Sequence, residues 1–289
     1  MRAAAVQLNS TDDFDRNLEA AAALVAEAAS AGAELVVLPE KWSLLGPGVL
    51  LAERAEPLDS HAALAACRGW AREHGIAILA GSVTERLAEG ERAGNTSVLI
   101  DPEGADVAVY RKIHMFDVDV GGVVYRESEH ERAGTEIVVA ELDGSGAGPG
   151  GDPLRIGLSV CYDLRFPELY RVLALEQAAI VTVPSAFTAA TGEPHWEILL
   201  RARAIENQLF VIAANQVGAA PPHYESWGHS AIADPWGRVL AVLPEGEGIA
   251  LADLDMDVLS DVRHRLPALA NRRPSAYRWP DQTRTETHA

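Results

Sequence analysis

Apolar and polar positions follow two rhythms along this chain, and the switches between them lay out its elements. Short, mostly apolar runs at 3–8, 35–38, 76–83 and 156–160 predict buried strands. Further strands are expected at 97–100, 107–110, 180–183, 210–214, 230–233, 239–242 and 249–252. Apolar residues recurring every three or four positions predict helices at 12–31, 60–74, 163–177, 193–208 and 257–266. Several strands follow one another directly, as hairpins do. This mixed order predicts a layered α/β architecture in place of a purely doubly wound sheet.

No internal repeat or interdomain linker interrupts the pattern, so residues 1–280 are expected to form a single domain, with 281–289 as a disordered tail. The run Gly144-Ser-Gly-Ala-Gly-Pro-Gly-Gly151 predicts a flexible loop. It contains a formal G-x-G-x-x-G but precedes a strand and opens no helix, so a dinucleotide site is not expected. The apolar start is too short for a secretory leader and runs into acidic residues, which fits a first strand. No run approaches the roughly 18 apolar residues of a membrane span.

Composition narrows the function classes without choosing one. The chain has 289 residues, 48% hydrophobic and 23% charged, as an ordinary globular protein does. Its net charge of −18 argues against a nucleic-acid surface. Two cysteines far apart, Cys67 and Cys161, fit a cytoplasmic protein with reduced thiols better than a disulfide framework. Cys67 lies in an Ala-rich helical pattern and is expected to pack. The nine histidines form no H-E-x-x-H or Cys–His zinc spacing, so neither metal nor cofactor is expected. Asn95-Thr-Ser97 matches a glycosylation sequon, which is irrelevant in the cytoplasm. A serine triad of Ser230, His229 and Asp163 lacks the Gly-x-Ser-x-Gly elbow it would need.

Candidate chemistry gathers at three predicted strand ends. Cys161 follows the 156–160 strand and precedes a helix for which Asp163 is the expected cap, with Pro167 near its first turn. Such an elbow exposes a nucleophile, favours its thiolate through the helix's positive end and offers backbone oxyanion donors. A buried, inert cysteine is the alternative. Glu40 stands just past the 35–38 strand and Lys112 just past the 107–110 strand. In a parallel-sheet fold such positions converge on one crevice. Base, cation and nucleophile together suit acyl transfer through a thioester.

With Leu38-Pro39-Glu40, Arg111-Lys112-Ile113-His114 and Val160-Cys161-Tyr162-Asp163-Leu164-Arg165-Phe166-Pro167-Glu168 in this order, the chain resembles the nitrilase, or carbon–nitrogen hydrolase, superfamily. The resemblance extends through Pro184-Ser-Ala-Phe187, His195-Trp196 and Gly228-His229-Ser230 to Asp234-Pro235-Trp236-Gly237. The run from Lys112 to Asp119, followed by Glu127-Ser128, is similar to the branch containing ω-amidase and deaminated-glutathione amidase. Lys41-Trp42 after the glutamate and Gly121-Gly122 depart from common family residues.

The resemblance implies a four-layer α-β-β-α sandwich and a Glu-Lys-Cys triad. Cys161 is then the nucleophile and Glu40 the proton carrier, with Lys112 and the Tyr162 N–H as oxyanion donors. Glu127 either orients Lys112, assists Glu40 or forms a structural ion pair. The implied substrate is a small primary amide bearing a carboxylate, with ammonia released. Arg165 is the candidate anion clamp, helped by Thr191 and Tyr224, or else a structural salt-bridge partner; His195 and Trp196 wall the pocket or pack. N-carbamoyl and nitrile hydrolysis would use the same triad. A non-catalytic interaction protein would not need all three groups. A homodimer or higher homo-oligomer is expected, with Trp236 and the 272–279 arm as interface pieces or caps.

Overall fold

The computed structural model describes residues 1–120, 122–142, 153–220 and 224–277. Gly121, the Gly144–Gly151 run and the expected 281–289 tail lie outside them.

In chain order the first part comprises β1 (Arg2–Gln7), α1 (Phe14–Ser30), β2 (Leu35–Val37), α2 (Gly48–Glu53), α3 (Ala62–His74), β3 (Ala77–Leu79) and β4 (Val83–Glu85). There follow β5 (Gly94–Ile100), β6 (Asp106–Arg111), β7 (Asp117–Val120), β8 (Val123–Arg126), β9 (Val139–Leu142) and β10 (Leu154–Leu158). The last part holds α4 (Pro167–Leu175), β11 (Ile180–Thr182), α5 (Ala189–Asn207), β12 (Phe210–Ala213), β13 (Val217–Ala220) and β14 (Tyr224–Trp227). It ends with β15 (Ser230–Ala233), β16 (Val239–Leu243), β17 (Gly248–Asp253) and α6 (Met256–Arg265).

Two sheets form the centre. In the first, β17, β1, β2 and β3 lie side by side, and β3 and β4 run end to end along one edge of β5, with β6 along the other. The second runs β16-β15-β12-β11-β10-β9. The middle strands of each sheet, β1–β2–β3 and β10–β11–β12, are parallel. Both faces of such strands are covered, which is why they appear as mostly apolar runs. Ala3, Ala5, Leu35, Val37, Ala77 and Leu79 face the second sheet and share one core with its strands. Ala4, Val6, Val36, Leu38 and Ile78 turn the other way, onto Val25, Leu64, Cys67 and Ala71 of α1 and α3. Helices α4 and α5 pack on β10 and β12 of the second sheet. The order is thus α-β-β-α, the expected four layers. Cys67 is fully buried, as expected.

Several boundaries differ from expectation. No α-helix starts at Asp163. A 3-10 turn spans Cys161–Arg165, and α4 begins at Pro167, because a residue before proline is pushed out of the helical region; Phe166 sits at φ −106°, ψ 92°. Helix α5 starts at Ala189, four residues before 193, and runs through Pro194. The strand expected at 76–83 is β3 and β4 joined by a bulge: Leu79 pairs with Leu99 but Val83 with Thr96, one residue out of step. The β7–β8 and β13–β14 hairpins, β4, β9 and α2 were not legible as elements. Trp236 is 52% exposed and Tyr277 74%, so neither is consumed in capping the core.

Gly81 makes the bulge possible. Its φ of +54° suits glycine, and a Cβ there would lie 2.0 Å from the Pro39 carbonyl oxygen. The bulge therefore cradles the segment that carries Glu40: Ser82 N–H donates to Pro39 O and Ser82 Oγ accepts from Lys41 N–H. Gly81→Ala should lower the unfolding free energy by about 2–5 kcal/mol. Equilibrium urea denaturation, run beside an activity assay, measures this; unchanged stability would mean that the backbone approach is not constrained.

Candidate active site

Glu40, Lys112 and Cys161 meet at the carboxyl ends of strands, two from the first sheet and one from the second. Beyond β2, Leu38 still bonds to Leu79 O, and Pro39 then turns Glu40 into the seam. Its Oε2 accepts from Ala186 N–H at 2.9 Å, and its Oε1 accepts from Asn95 Nδ2 at 2.8 Å and Lys112 Nζ at 3.0 Å. Lys112 leaves β6 with its N–H on Asn95 O, and its side chain is 1% exposed. Glu127 gives both oxygens to Lys112 Nζ, at 2.9 and 2.8 Å, and is itself held by Phe116 N–H at 2.7 Å.

Cys161 follows β10 with φ +49°, a left-handed conformation uncommon for a residue with a Cβ. Its N–H donates to Pro184 O at 2.8 Å. The elbow is held from inside by the buried Asp163 carboxylate. This accepts from Val160 N–H (2.8 Å), Tyr110 OH (2.7 Å) and His114 N–H (3.2 Å), and faces His114 Nδ1 at 2.7 Å. Tyr110 belongs to β6 of the first sheet, so the elbow is tied across the seam. Ser230 Oγ meanwhile bonds only backbone groups of Val6 and Asn215, far from a triad with Asp163.

The electrostatics correct one expectation. The elbow does not favour a resting thiolate: burial, and then the Glu40 carboxylate, push the Cys161 thiol well above its usual range, with Lys112 only partly opposing them. The thiol lies within hydrogen-bonding reach of Glu40. Burial works against the Lys112 ammonium, yet Glu127 and Glu40 overcome it and keep the lysine charged. Burial likewise opposes ionisation of Glu127, but Lys112 and Lys41 hold its carboxyl far below the ordinary range.

A cleft of about 480 Å³ opens over this group. Tyr162, Arg165, Phe187, Thr188 and Thr191 line one side, and Val123 to Glu127 of the β8 hairpin line the other. Arg165 makes no carboxylate pair among the described residues. Its guanidinium lies 5.0 Å from the Phe187 ring centroid and 3.3 Å from His195 Nδ1. Thr191 Oγ1 shares a 2.8 Å hydrogen bond with Thr188. His195, expected as a pocket wall, is exposed on α5 and does not line the cleft; it touches Arg165 from behind. Trp196 is core, with Nε1–H on His229 O. Tyr224 opens β14, and its side chain lies outside the described residues.

Not expected as site residues were Asn95, which donates to both Glu40 and Glu127 (2.8 and 3.2 Å), and Asp163 as the internal brace of the elbow. Asn95 is 1% exposed, no place for a glycan. Also not expected there were Lys41 and Glu131, whose ion pair borders the triad, and Arg126 at the cleft mouth. Asn95 precedes Thr96 and Ser97 in β5 and lies outside the expected 97–100 strand, so its pattern gave no signal. Among the described residues no cluster of three or more His, Cys, Asp or Glu side chains could hold a metal ion.

The model of the carbon–nitrogen hydrolase family matches residues 2–264. A deaminated glutathione amidase of Synechocystis sp. (strain PCC 6803 / GT-S) is 41% identical over 281 residues, covering 93% of this chain and 97% of that protein. The solved structure of Saccharomyces cerevisiae Nit3, a member of branch 10 of the nitrilase superfamily, matches with a TM-score of 0.83 at 29% identity, over 94% of this chain and 96% of that one. A variant of the amidase from Nesterenkonia sp. AN1, with acrylamide added to its active-site cysteine, matches with a TM-score of 0.75 at 29% identity, over 92% and 98%.

Tyr110→Phe removes one donor from the buried Asp163 carboxylate and should cost about 1–3 kcal/mol of stability. The loosened elbow should also slow alkylation of Cys161. Thermal unfolding and iodoacetamide labelling measure the two; a loss of stability with unaltered labelling would show that Tyr110 braces the seam but not the nucleophile.

Proposed function

We propose that this amidase, a chain that belongs to the carbon–nitrogen hydrolase family, hydrolyses a small carboxylate-bearing amide through a thioester on Cys161. One observation carries the reading: the Cys161 thiol rests against Glu40 and beside Lys112, under a cleft whose wall presents the Arg165 guanidinium. A neutral thiol needs a base at the moment of attack. As Sγ bonds to the amide carbon, its proton passes to Glu40. The oxyanion that forms is held by Lys112 Nζ and the Tyr162 N–H. Glu40 returns the proton to the departing nitrogen, leaving an acyl thioester and free ammonia or amine. A water then gives a proton to Glu40 as its oxygen attacks the thioester carbon. Breakdown restores that proton to the sulfur and frees the acid.

Glu127, with both oxygens on Lys112, serves as the residue that aims the ammonium. Arg165 is the anion clamp, with Thr191 beside it in the same wall. Relatives named for deaminated glutathione support a carboxylate-bearing substrate; hydrolysis of a glutathione peptide bond would free an amine, whereas a primary amide would free ammonia. The half-exposed Trp236 suits a contact between copies of the chain in a homo-oligomer.

The test is a panel of primary amides, 2-oxo-acid amides, deaminated glutathione, N-carbamoyl amino acids and a nitrile, with ammonia and amine both assayed. Cys161→Ala should lose at least about 10³-fold in turnover while folding normally. Arg165→Ala should raise KM for carboxylate-bearing amides about 10- to 100-fold, the loss of one charge-assisted contact, and leave neutral amides nearly unaffected. Equal effects on both substrate types would remove Arg165 as the clamp. Turnover confined to carbamoyl compounds or nitriles would replace the substrate class.

A further inference from the structure

Behind the triad, the row of charges does not end at Glu127. Lys41, the residue after Glu40, adopts φ +52° and turns its chain alongside Glu127. Its Nζ lies 2.6 Å from Glu131 Oε1 and 3.5 Å from Glu127 Oε1, and its side chain is 12% exposed. Glu131 is more deeply buried, at 3%, and its carboxyl also lies within hydrogen-bonding reach of Glu127. The sequence of contacts is therefore Glu131, Lys41, Glu127, Lys112, Glu40 and the Cys161 thiol.

We propose that Lys41 is a positioning residue of the catalytic centre: held by Glu131, its ammonium fixes the Glu127 carboxylate and thereby holds Lys112 against Glu40. The inference rests on the assignment of Glu40, Lys112 and Cys161 made above. Glu127 Oε1 is shared among Lys112, Asn95 and Lys41, and its Oε2 between Lys112 and the Phe116 N–H. Without Lys41, Lys112 would be the single ammonium left facing the Glu40 and Glu127 carboxylates.

Charge balance points the same way. Burial, against the pull of Lys41 and with the help of Glu127, pushes the Glu131 carboxyl up, toward its protonated form. Two lysines then offset Glu40 and Glu127, and the buried row is neutral, the state in which burying charge costs least. The charged groups around Lys41 are Glu131, Glu127, Glu40 and Lys112; those around Cys161 are Glu40 and Lys112. Arg126, Glu129 and His130 stand farther out along the cleft. Removing the Lys41 charge leaves the row with one excess negative charge, which raises the carboxyl pKa values. The centre works with Glu40 ionised, so its reactivity must retreat to higher pH.

The test reads the rate of Cys161 alkylation by iodoacetamide from about pH 5 to about pH 9, which needs no substrate; Cys67 is fully buried and inert. Lys41→Met should move the acid limb up by about one pH unit or more, and Lys41→Arg should restore it. Thermal unfolding confirms that both variants fold. If the Lys41→Met and wild-type profiles share one limb and differ only in height, Lys41 is merely structural and the proposal fails. Glu40→Gln separates the two readings: it should abolish the limb. If it does not, the base assignment falls and takes the proposal with it. If it does while Lys41→Met changes nothing, only the proposal falls.

Discussion

Ionised side chains buried in the seam between two sheets are the constraint on which the rest of this molecule depends. Moving a carboxylate or ammonium out of water costs several kcal/mol unless partners replace the lost solvation. Lys112 at 1% exposure, Glu40 at 4% and Glu127 at 10% are all in that position. Their partners come from places far apart in the chain: Asn95 from β5, Ala186 from beyond β11, Phe116 from before the β7–β8 hairpin. Each supplies an N–H where a water would have been. The fold is thereby obliged to bring these strand ends together to within hydrogen-bonding distance, since a loose seam would leave charges unpaired.

The packing makes that approach possible. In β1, three successive alanines alternate between the two cores, and the short side chains let the strand sit deep between helices and the second sheet. Gly81 lets the first sheet bend around the Pro39 carbonyl. Tyr110 reaches from the first sheet to the Asp163 carboxylate of the second, so the nucleophile's elbow and the lysine's strand share one buried hydrogen-bond group. Position and chemistry are coupled here: β6 carries both Tyr110, which braces Cys161, and, directly beyond its end, Lys112, which faces it.

What could be seen in the sequence follows from the range of the physics involved. Mostly apolar runs betray strands covered on both faces, and a reactive or charged residue just past such a run marks a strand end, so Glu40, Lys112 and Cys161 were legible together with the four layers. The start of α4 was not, because the bias imposed by Pro167 on Phe166 outweighed Asp163 as a cap. That misplacement also removes the help that a helix start was expected to give the thiolate, and burial pushes the thiol up instead. Glu131, Asn95 and Lys41 were illegible as site residues because each acts only through a tertiary neighbour. His195 was misplaced for a related reason: α5 begins four residues early and runs through Pro194, and His195 emerges on its outer face.

A neutral thiol beside an ionised base has a chemical consequence that a thiolate elbow would not. A resting thiolate is reactive toward any electrophile that reaches it. In the proposed mechanism the buried thiol gains nucleophilicity only while its proton moves to Glu40, and that transfer is favoured when an oxyanion is forming over Lys112 to compensate the charge. On that proposal, reactivity is tied to a substrate that places its carbonyl oxygen at the lysine. The same tie explains why the ammonium is so heavily restrained: a lysine free to follow the carboxylates would stabilise the resting site as much as the transition state and leave no difference to lower the barrier. With both oxygens of Glu127 and one of Glu40 fixing it, the Lys112 charge is already oriented when the tetrahedral centre appears.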